Sequence, residues 1–319
     1  MKKSIGFIGC SNIARKAMLP AVLKSDFFEV FGFVSRSNEK AMSYVSEFGG
    51  RVFSLEAILN SECDAIYVSN PVGLHHSVGK RVLESGKHLL MEKTFTESFP
   101  QCMELLDLAE TRNLIAMESL MYQYHPLQRL IEDTLPRVGK IREVSAKFGF
   151  PHFDDFSDIR YDKSLGGGAD LDSLIYPLSF CLAILDKDYI KVQGASFAHA
   201  ETGINERGYY LLQYEDNVAS IAYGFSHAYT NEIRIWGEQG ILEAKRVFTR
   251  PEQSNFNLIL SRDFSEEVIE VPDGDHFLET LRVFYDYTSG ESLDKYKLEC
   301  ESLRTRIDLI DRIRNQEFA

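Results

Sequence analysis

No stretch of the 319-residue chain is apolar for long enough to cross a membrane, and Met1-Lys2-Lys3 passes directly into a short strand-like run ending at Gly9. Neither a secretory signal nor a membrane span is expected, so the cytoplasm is the expected compartment. Cysteine is scarce and unpaired. Cys10, Cys63, Cys102, Cys181 and Cys300 lack the close spacing of a zinc site or a disulfide framework, so they read as reduced packing residues and no metal is expected. Dense runs of Lys and Arg are also missing. With 48 acidic and 35 basic residues the net charge is −13, which repels phosphate backbones and anionic lipid and argues against nucleic acid or membrane as a partner. An anionic substrate would need a local pocket to attract it. There is no internal repeat or low-complexity tract.

What is present belongs to a globular protein: 44% hydrophobic and 26% charged residues, in a chain long enough for two domains that each bury a core. Up to about residue 120, short apolar runs alternate with helical stretches, the pattern of βαβ units and a parallel sheet. The runs are Ile5–Ile8, Val30–Val34, Ala65–Val68, His88–Met91 and Leu114–Met117, with helical periodicity at Val78–Leu83 and Cys102–Ala109. After residue 140 the period becomes two, with Val144, Ala146, Phe148 and Phe150 facing one way. Similar runs fall at Tyr209–Tyr214, Val218–Phe225 and Ile233–Trp236, and helices are predicted at Ala169–Leu185, His276–Thr288 and Leu293–Ile313. The fold class is therefore α/β: a Rossmann domain with a parallel sheet over residues 1–122, then an α+β domain with an open, mostly antiparallel sheet over 123–319. An open apolar sheet face commonly needs a partner, which predicts a homodimer or homotetramer.

The segment Gly9-Cys10-Ser11-Asn12-Ile13-Ala14 lies between the first strand and the first helix, where a dinucleotide fingerprint belongs. Gly9 permits the tight turn, small Ala14 lets helix and strand approach, and the helix N-terminus at Ser11, Asn12 and Ile13 offers backbone N–H groups to a pyrophosphate. Ser11 stands where the pattern has glycine. An ordinary strand-to-helix turn is the alternative. At the end of the second strand an acidic residue would bind the ribose 2′-hydroxyl of NAD, but the residues here are Ser35-Arg36-Ser37, with Lys40 a turn later. Without a carboxylate to repel a 2′-phosphate, and with Arg36 able to pair with it, the preferred cofactor is NADP(H), with NAD(H) the alternative.

Three further segments, Gly86-Lys87-His88-Leu89-Leu90-Met91-Glu92-Lys93-Thr94, Gly166-Gly167-Gly168-Ala169-Asp170-Leu171-Asp172 and Tyr176-Pro177, together with the fingerprint, resemble the glucose-fructose oxidoreductase/inositol dehydrogenase family. The resemblance covers essentially the whole chain. It implies that Lys93 lies beside the nicotinamide and the reacting carbon, that Tyr176 supplies the transferable proton, and that Asp172 orients the substrate or tunes its neighbours. It also implies that Glu92 lies against the nicotinamide ribose and that Asn70, Pro71 and His75 form a cofactor loop, with capping or packing as the alternative for His75. The chain departs from the family pattern at Thr94 (proline there), Asp170 (an apolar residue) and Leu174 (glycine). The chemistry agrees with the implied roles. Hydride transfer to a ketone builds negative charge on oxygen, which a cation and a proton donor stabilise. A tyrosine, with a reference pKa of about 10, gives up its proton more readily beside an ammonium.

Within the family, Asp158-Ile159-Arg160-Tyr161, His227-Ala228-Tyr229-Thr230-Asn231 and Arg246-Val247-Phe248-Thr249 resemble NADPH-dependent nucleotide-sugar 3-ketoreductases. That resemblance implies a small-molecule sugar substrate, free or nucleotide-linked, and reduction of its 3-keto group. Arg160 would contact a phosphate or form a structural salt bridge. Tyr122, Tyr124, Phe153 and Tyr229 would stack on a base or sugar, or pack in the core. Two alternatives stay open: a dehydrogenase of a free sugar, polyol or dihydrodiol, and a non-catalytic nucleotide-sensing protein.

Overall fold

The computed structural model describes residues 2–153, 155, 157–185 and 188–316. The chain forms two compact units, Met1–Met121 with Asp275–Ile307, and Tyr122–Gly274 with Asp308–Ala319.

The first unit is built on six parallel strands: β1 (Lys3–Ile8), β2 (Phe28–Val34), β3 (Arg51–Val52), β4 (Ala65–Val68), β5 (His88–Glu92) and β6 (Ala116–Ser119). Their order is β3-β2-β1-β4-β5-β6, the doubly wound dinucleotide-binding arrangement. The strands are short and apolar on both faces because helices cover both, and every residue of β4 is buried. The order reverses between β1 and β4, so the loops leaving those strands flank the crevice in which such folds bind ligands. The C-terminal segment Asp275–Ile307 departs from the predicted 123–319 block by packing with this unit. Phe284 of helix His276–Thr288 stacks on Phe28 at 5.7 Å, and Arg306 of helix Leu293–Arg314 forms a buried ion pair with Glu118 of β6 at 2.9 Å. An unpaired charge at either position would be costly, so the pair ties the helix to the sheet.

Half-buried His88 and buried His276 are expected to make this unit acid-sensitive. Burial pushes His88 and His276 each down to about 4, and the backbone N–H of Ile115 donates to His88 Nδ1 at 3.0 Å, a bond that needs that nitrogen unprotonated. A histidine whose pKa is depressed by folding is protonated first in the unfolded chain. Its contribution is therefore complete above about pH 6.5 and is lost as pH falls toward 4, at on the order of 3 kcal/mol for each ring. Urea midpoints should fall across that window, and the double variant His88→Asn/His276→Asn should flatten the fall. Equal slopes in variant and parent would remove these rings as the cause.

The second unit holds an eight-stranded sheet: β7 (Ile141–Gly149), β8 (Lys191–Ala198), β9 (Asn205–Gln213), β10 (Val218–Gly224), β11 (Thr230–Gly237), β12 (Ile241–Lys245), β13 (Leu258–Arg262) and β14 (Ser265–Ile269). The order is β14-β13-β12-β11-β7-β10-β9-β8, antiparallel except for the β7/β10 pair. Burial alternates along the central strands, as in β11, where Asn231, Ile233 and Ile235 face inward and Arg234 and Trp236 outward. The inner face is covered by helices Ala169–Asp172 and Ile175–Leu185. The predicted continuous helix 169–185 is broken at Ser173-Leu174, where the Ser173 hydroxyl donates to Ala169 O at 2.9 Å and competes with the backbone ladder. The outer face carries ladders of opposite charge, Lys147 with Glu232 at 3.4 Å and Arg234 with Glu243 at 3.3 Å. Among the described residues no single helix is long and apolar enough to span a membrane.

Candidate active site

In the first unit the predicted cofactor residues gather at the carboxyl ends of β1, β2, β4 and β5. Gly9 has φ +101°, and a Cβ there would come within 2.4 Å of Asn70 Oδ1 and 2.9 Å of the Ser69 carbonyl carbon, so both conformation and space demand glycine. The loops after β1 and β4 are thereby pressed together, and the Ser69 hydroxyl donates to Gly9 O at 2.9 Å. Ser11 Oγ accepts from Ala14 N at 3.2 Å, Ser11 O accepts from the Tyr44 hydroxyl at 2.9 Å, and Asn12 and Ile13 are exposed at the helix start. The hydroxymethyl that replaces the pattern's glycine thus caps its own helix. At the end of β2 Ser35 Oγ accepts from Ser37 N at 3.2 Å. Arg36 and Lys40 are exposed, and neither forms an ion pair among the described residues.

His75 links two of these loops. Its Nδ1 lies 2.9 Å from Thr94 O and its Nε2 2.8 Å from Asn70 O, with the ring fully buried. Burial is the larger influence and lowers its pKa, against the two carbonyls that favour the charged ring. A neutral ring donates to one carbonyl and packs against the other. The predicted Asn70, Pro71 and His75 are therefore in one loop assembly with Lys93-Thr94.

Glu92 ends β5, buried, and accepts from the Tyr67 hydroxyl at 2.6 Å. Burial raises the Glu92 carboxyl, opposed by the Tyr67 hydrogen bond and by the Lys93 ammonium. Lys93 itself is half-buried, and the Lys93–Thr94 peptide bond is cis. The next peptide is held from the other side, where Glu118 Oε1 accepts from Phe95 N at 2.7 Å while its Oε2 accepts from Arg306. Thr94, in the place of the family's proline, is completely buried within this frame.

In the second unit Tyr176 begins helix Ile175–Leu185, buried among aromatic rings: Phe148 at 4.9 Å, Phe248 at 5.8 Å and Tyr122 at 6.1 Å. Tyr122 is buried too, and shares a 2.7 Å hydrogen bond with the Ser179 hydroxyl, which donates to Tyr176 O at 2.9 Å. Arg160 donates through Nε to Asp172 Oδ2 at 2.8 Å and through Nη1 to Asp158 at 3.1 Å, with its guanidinium 4.7 Å from the Phe153 ring. Gly167 permits this arrangement, because a Cβ there would lie 2.6 Å from Arg160 O. Asp170, unlike the family's apolar residue, is buried and receives Arg314 Nε at 3.1 Å. Burial raises the Asp170 carboxyl, partly offset by Arg314.

Several participants were not singled out from sequence: Tyr67 under Glu92, the Glu118–Arg306 pair behind Phe95, and Ser179 under Tyr122. Only Glu118 carried a local signal, an acidic residue at the carboxyl end of an otherwise apolar parallel strand.

Residues 3–120 match the model of an oxidoreductase family with an NAD-binding Rossmann fold, and residues 126–243 match the GFO/IDH/MocA C-terminal domain. The chain belongs to the GFO/IDH/MocA oxidoreductase family. Its similarity to individual members covers nine-tenths or more of the chain. It is 34% identical over 317 residues to the dTDP-3,4-didehydro-2,6-dideoxy-alpha-D-glucose 3-reductase of Actinomadura kijaniata, covering 97% of this chain and 94% of that one. It is 31% identical to the enzyme of the same name from Saccharopolyspora spinosa, over 91% and 89% of the two chains. The crystal structure of a 3-ketoreductase from Actinomadura kijaniata in complex with NADP and TDP-benzene superimposes with a TM-score of 0.92 at 31% identity, covering 99% of this chain and 98% of that one.

Proposed function

We propose that the protein uses NADPH to reduce the 3-keto group of a nucleotide-linked hexose, with Lys93 and Tyr176 acting on the carbonyl oxygen. The observation that carries this reading is a correspondence with a relative. Structures of the Actinomadura kijaniata ketoreductase include one variant with a tyrosine changed to phenylalanine and others with a lysine changed to alanine or glutamate. Those two positions are separated by nearly the same interval as Lys93 and Tyr176.

The residues at the β1, β2 and β4 loops fit an NADP(H) molecule: the Gly9 turn, closed against Asn70 and Ser69, leads into an exposed helix start at Asn12 and Ile13, and Arg36 is exposed and forms no ion pair among the described residues. When bound, the nicotinamide supplies the hydride. The Lys93 ammonium then stabilises the charge that develops on the substrate oxygen, and the Tyr176 hydroxyl gives that oxygen its proton, completing the alcohol. The Arg160–Asp172 pair fixes the segment before Tyr176. Glu92, held by Tyr67, and the His75 link keep the Lys93 loop in place.

A free-sugar dehydrogenase is the second reading, favoured by 29% identity over 76% of the chain to D-xylose 1-dehydrogenase (NADP(+)) 2 of Haloferax volcanii. One kinetic comparison tests both. The proposal expects kcat/KM to be higher for a dTDP-linked 3-keto sugar than for any free sugar, and higher with NADPH than with NADH. Preference for a free sugar would establish the second reading, and preference for NADH would remove Arg36 from a 2′-phosphate site. Absence of any turnover would favour a sensing role, although Thr94 and Asp170, the departures that suggest one, both have structural partners. The open outer sheet face, with Trp236 and Tyr209 exposed, supports a homodimer or homotetramer, and the mass in light scattering decides it.

A further inference from the structure

We infer that Tyr229, Arg246, Arg250 and Phe256 form the subsite that takes the nucleoside diphosphate part of the substrate; the inference rests on the nucleotide-linked reading above. Tyr229 directly precedes β11, Arg246 directly follows β12, and Arg250 and Phe256 lie in the segment between β12 and β13. Asn231, Ile233 and Ile235 of β11 are buried on the sheet's inner face, and the exposed Tyr229 lies two residues before Asn231. Asn231 joins the cluster to the catalytic region: its Nδ2 donates to the Tyr229 hydroxyl at 3.1 Å and to Thr249 Oγ1 at 2.9 Å, and its Oδ1 accepts from Phe248 N at 2.9 Å. The Phe248 ring is one of those packed on Tyr176. The cluster therefore begins one aromatic layer from the tyrosine proposed to protonate the sugar oxygen.

Its chemistry suits a base and a diphosphate. The Arg246 guanidinium lies 4.2 Å from the Tyr229 ring centre and 5.8 Å from that of Phe256. Both rings are exposed, at 42% and 41%, although their large apolar surfaces would be better buried. Arg246 makes no ion pair among the described residues, whereas Arg142 and Arg234 nearby in the same sheet pair with Glu238 and Glu243. Arg250 is 4% exposed, donates through Nη2 to Phe256 O, and leaves Nη1 without a hydrogen-bond partner. Burial disfavours its charge, and Asp273 acts on it without forming an ion pair. Two guanidiniums that form no ion pair among the described residues, in a chain of net charge −13, form a local site for an anion. The flanking exposed rings offer a face for a nucleobase.

Calorimetry with dTDP as the probe tests the inference on the full-length protein. Arg246→Ala should weaken dTDP binding by about 10- to 100-fold, the range for a lost charge-assisted hydrogen bond, and Arg246→Lys should restore part of it. Tyr229→Ala should weaken it less. NADPH affinity and thermal midpoint should stay at parental values in all three, and the loss should appear in KM for the nucleotide-linked sugar and not in kcat. Parental dTDP affinity in both Arg246→Ala and Tyr229→Ala would overturn the subsite. If the parent protein binds no dTDP and reduces no nucleotide-linked sugar, the nucleotide-linked reading itself has failed.

Discussion

Tyr176→Phe lowers kcat by about 10²- to 10⁴-fold, the contribution of a positioned proton donor, and leaves NADPH affinity unchanged. The size of the effect follows from what the substitution removes. The Tyr176 ring packs edge-on to Phe148 and against Phe248 and Tyr122, and a phenylalanine ring keeps those contacts. Folding and the aromatic pocket are then preserved while the proposed proton donor is lost. Steady-state and single-turnover rates, with thermal melting as the control for folding, check the outcome. A variant that reduces substrate at the parental rate would show that another group delivers the proton.

Lys93→Ala costs about 10²- to 10³-fold in kcat, the range for removing one preorganised group that stabilises a developing oxyanion. This variant also weakens NADPH, because the ammonium acts on groups around it. Burial drives Glu92 toward the neutral acid, and Lys93 is one of the influences opposing that drive. Without the ammonium the Glu92 carboxyl titrates at still higher pH, and its charge, which the family resemblance implies lies against the nicotinamide ribose, is lost sooner as pH falls. The NADPH dissociation constant of Lys93→Ala should therefore depend on pH over a range where the parent's is flat. Unaltered kinetics and unaltered NADPH binding would take Lys93 out of the site.

The two units differ in how far sequence alone exposed them. Strands β1, β2, β4, β5 and β6 were legible because parallel strands covered on both faces are continuous apolar runs, and β7, β9, β10 and β11 because one buried face imposes a period of two. Strand β3, two residues long, carries no period. Strand β14 is almost wholly exposed and β8 buries little beyond Val192, so neither has an apolar face to detect. The return of Asp275–Ile307 to the first unit is not legible in the sequence, because nothing local in His276–Thr288 marks Phe284 as a partner for Phe28. The same limit applied to the site. Gly9, Asn70, His75 and Lys93 were readable as motif residues at strand ends, where the fold places its chemistry. The supports were not: Tyr67 is 25 residues from Glu92, and Arg306 is 188 residues from Glu118. Pairings of that kind are made by topology and leave no spacing to read.

The central claim is that the ammonium of Lys93 and the hydroxyl of Tyr176 act on one oxygen. A crystal structure of the protein with NADP+ and a dTDP-linked sugar or its analogue tests it most directly. The account predicts Lys93 Nζ and Tyr176 Oη both within hydrogen-bonding distance of the sugar's 3-oxygen, with the nicotinamide C4 facing carbon 3. A complex in which either group turns away from that oxygen, or in which the sugar is bound elsewhere, would contradict it.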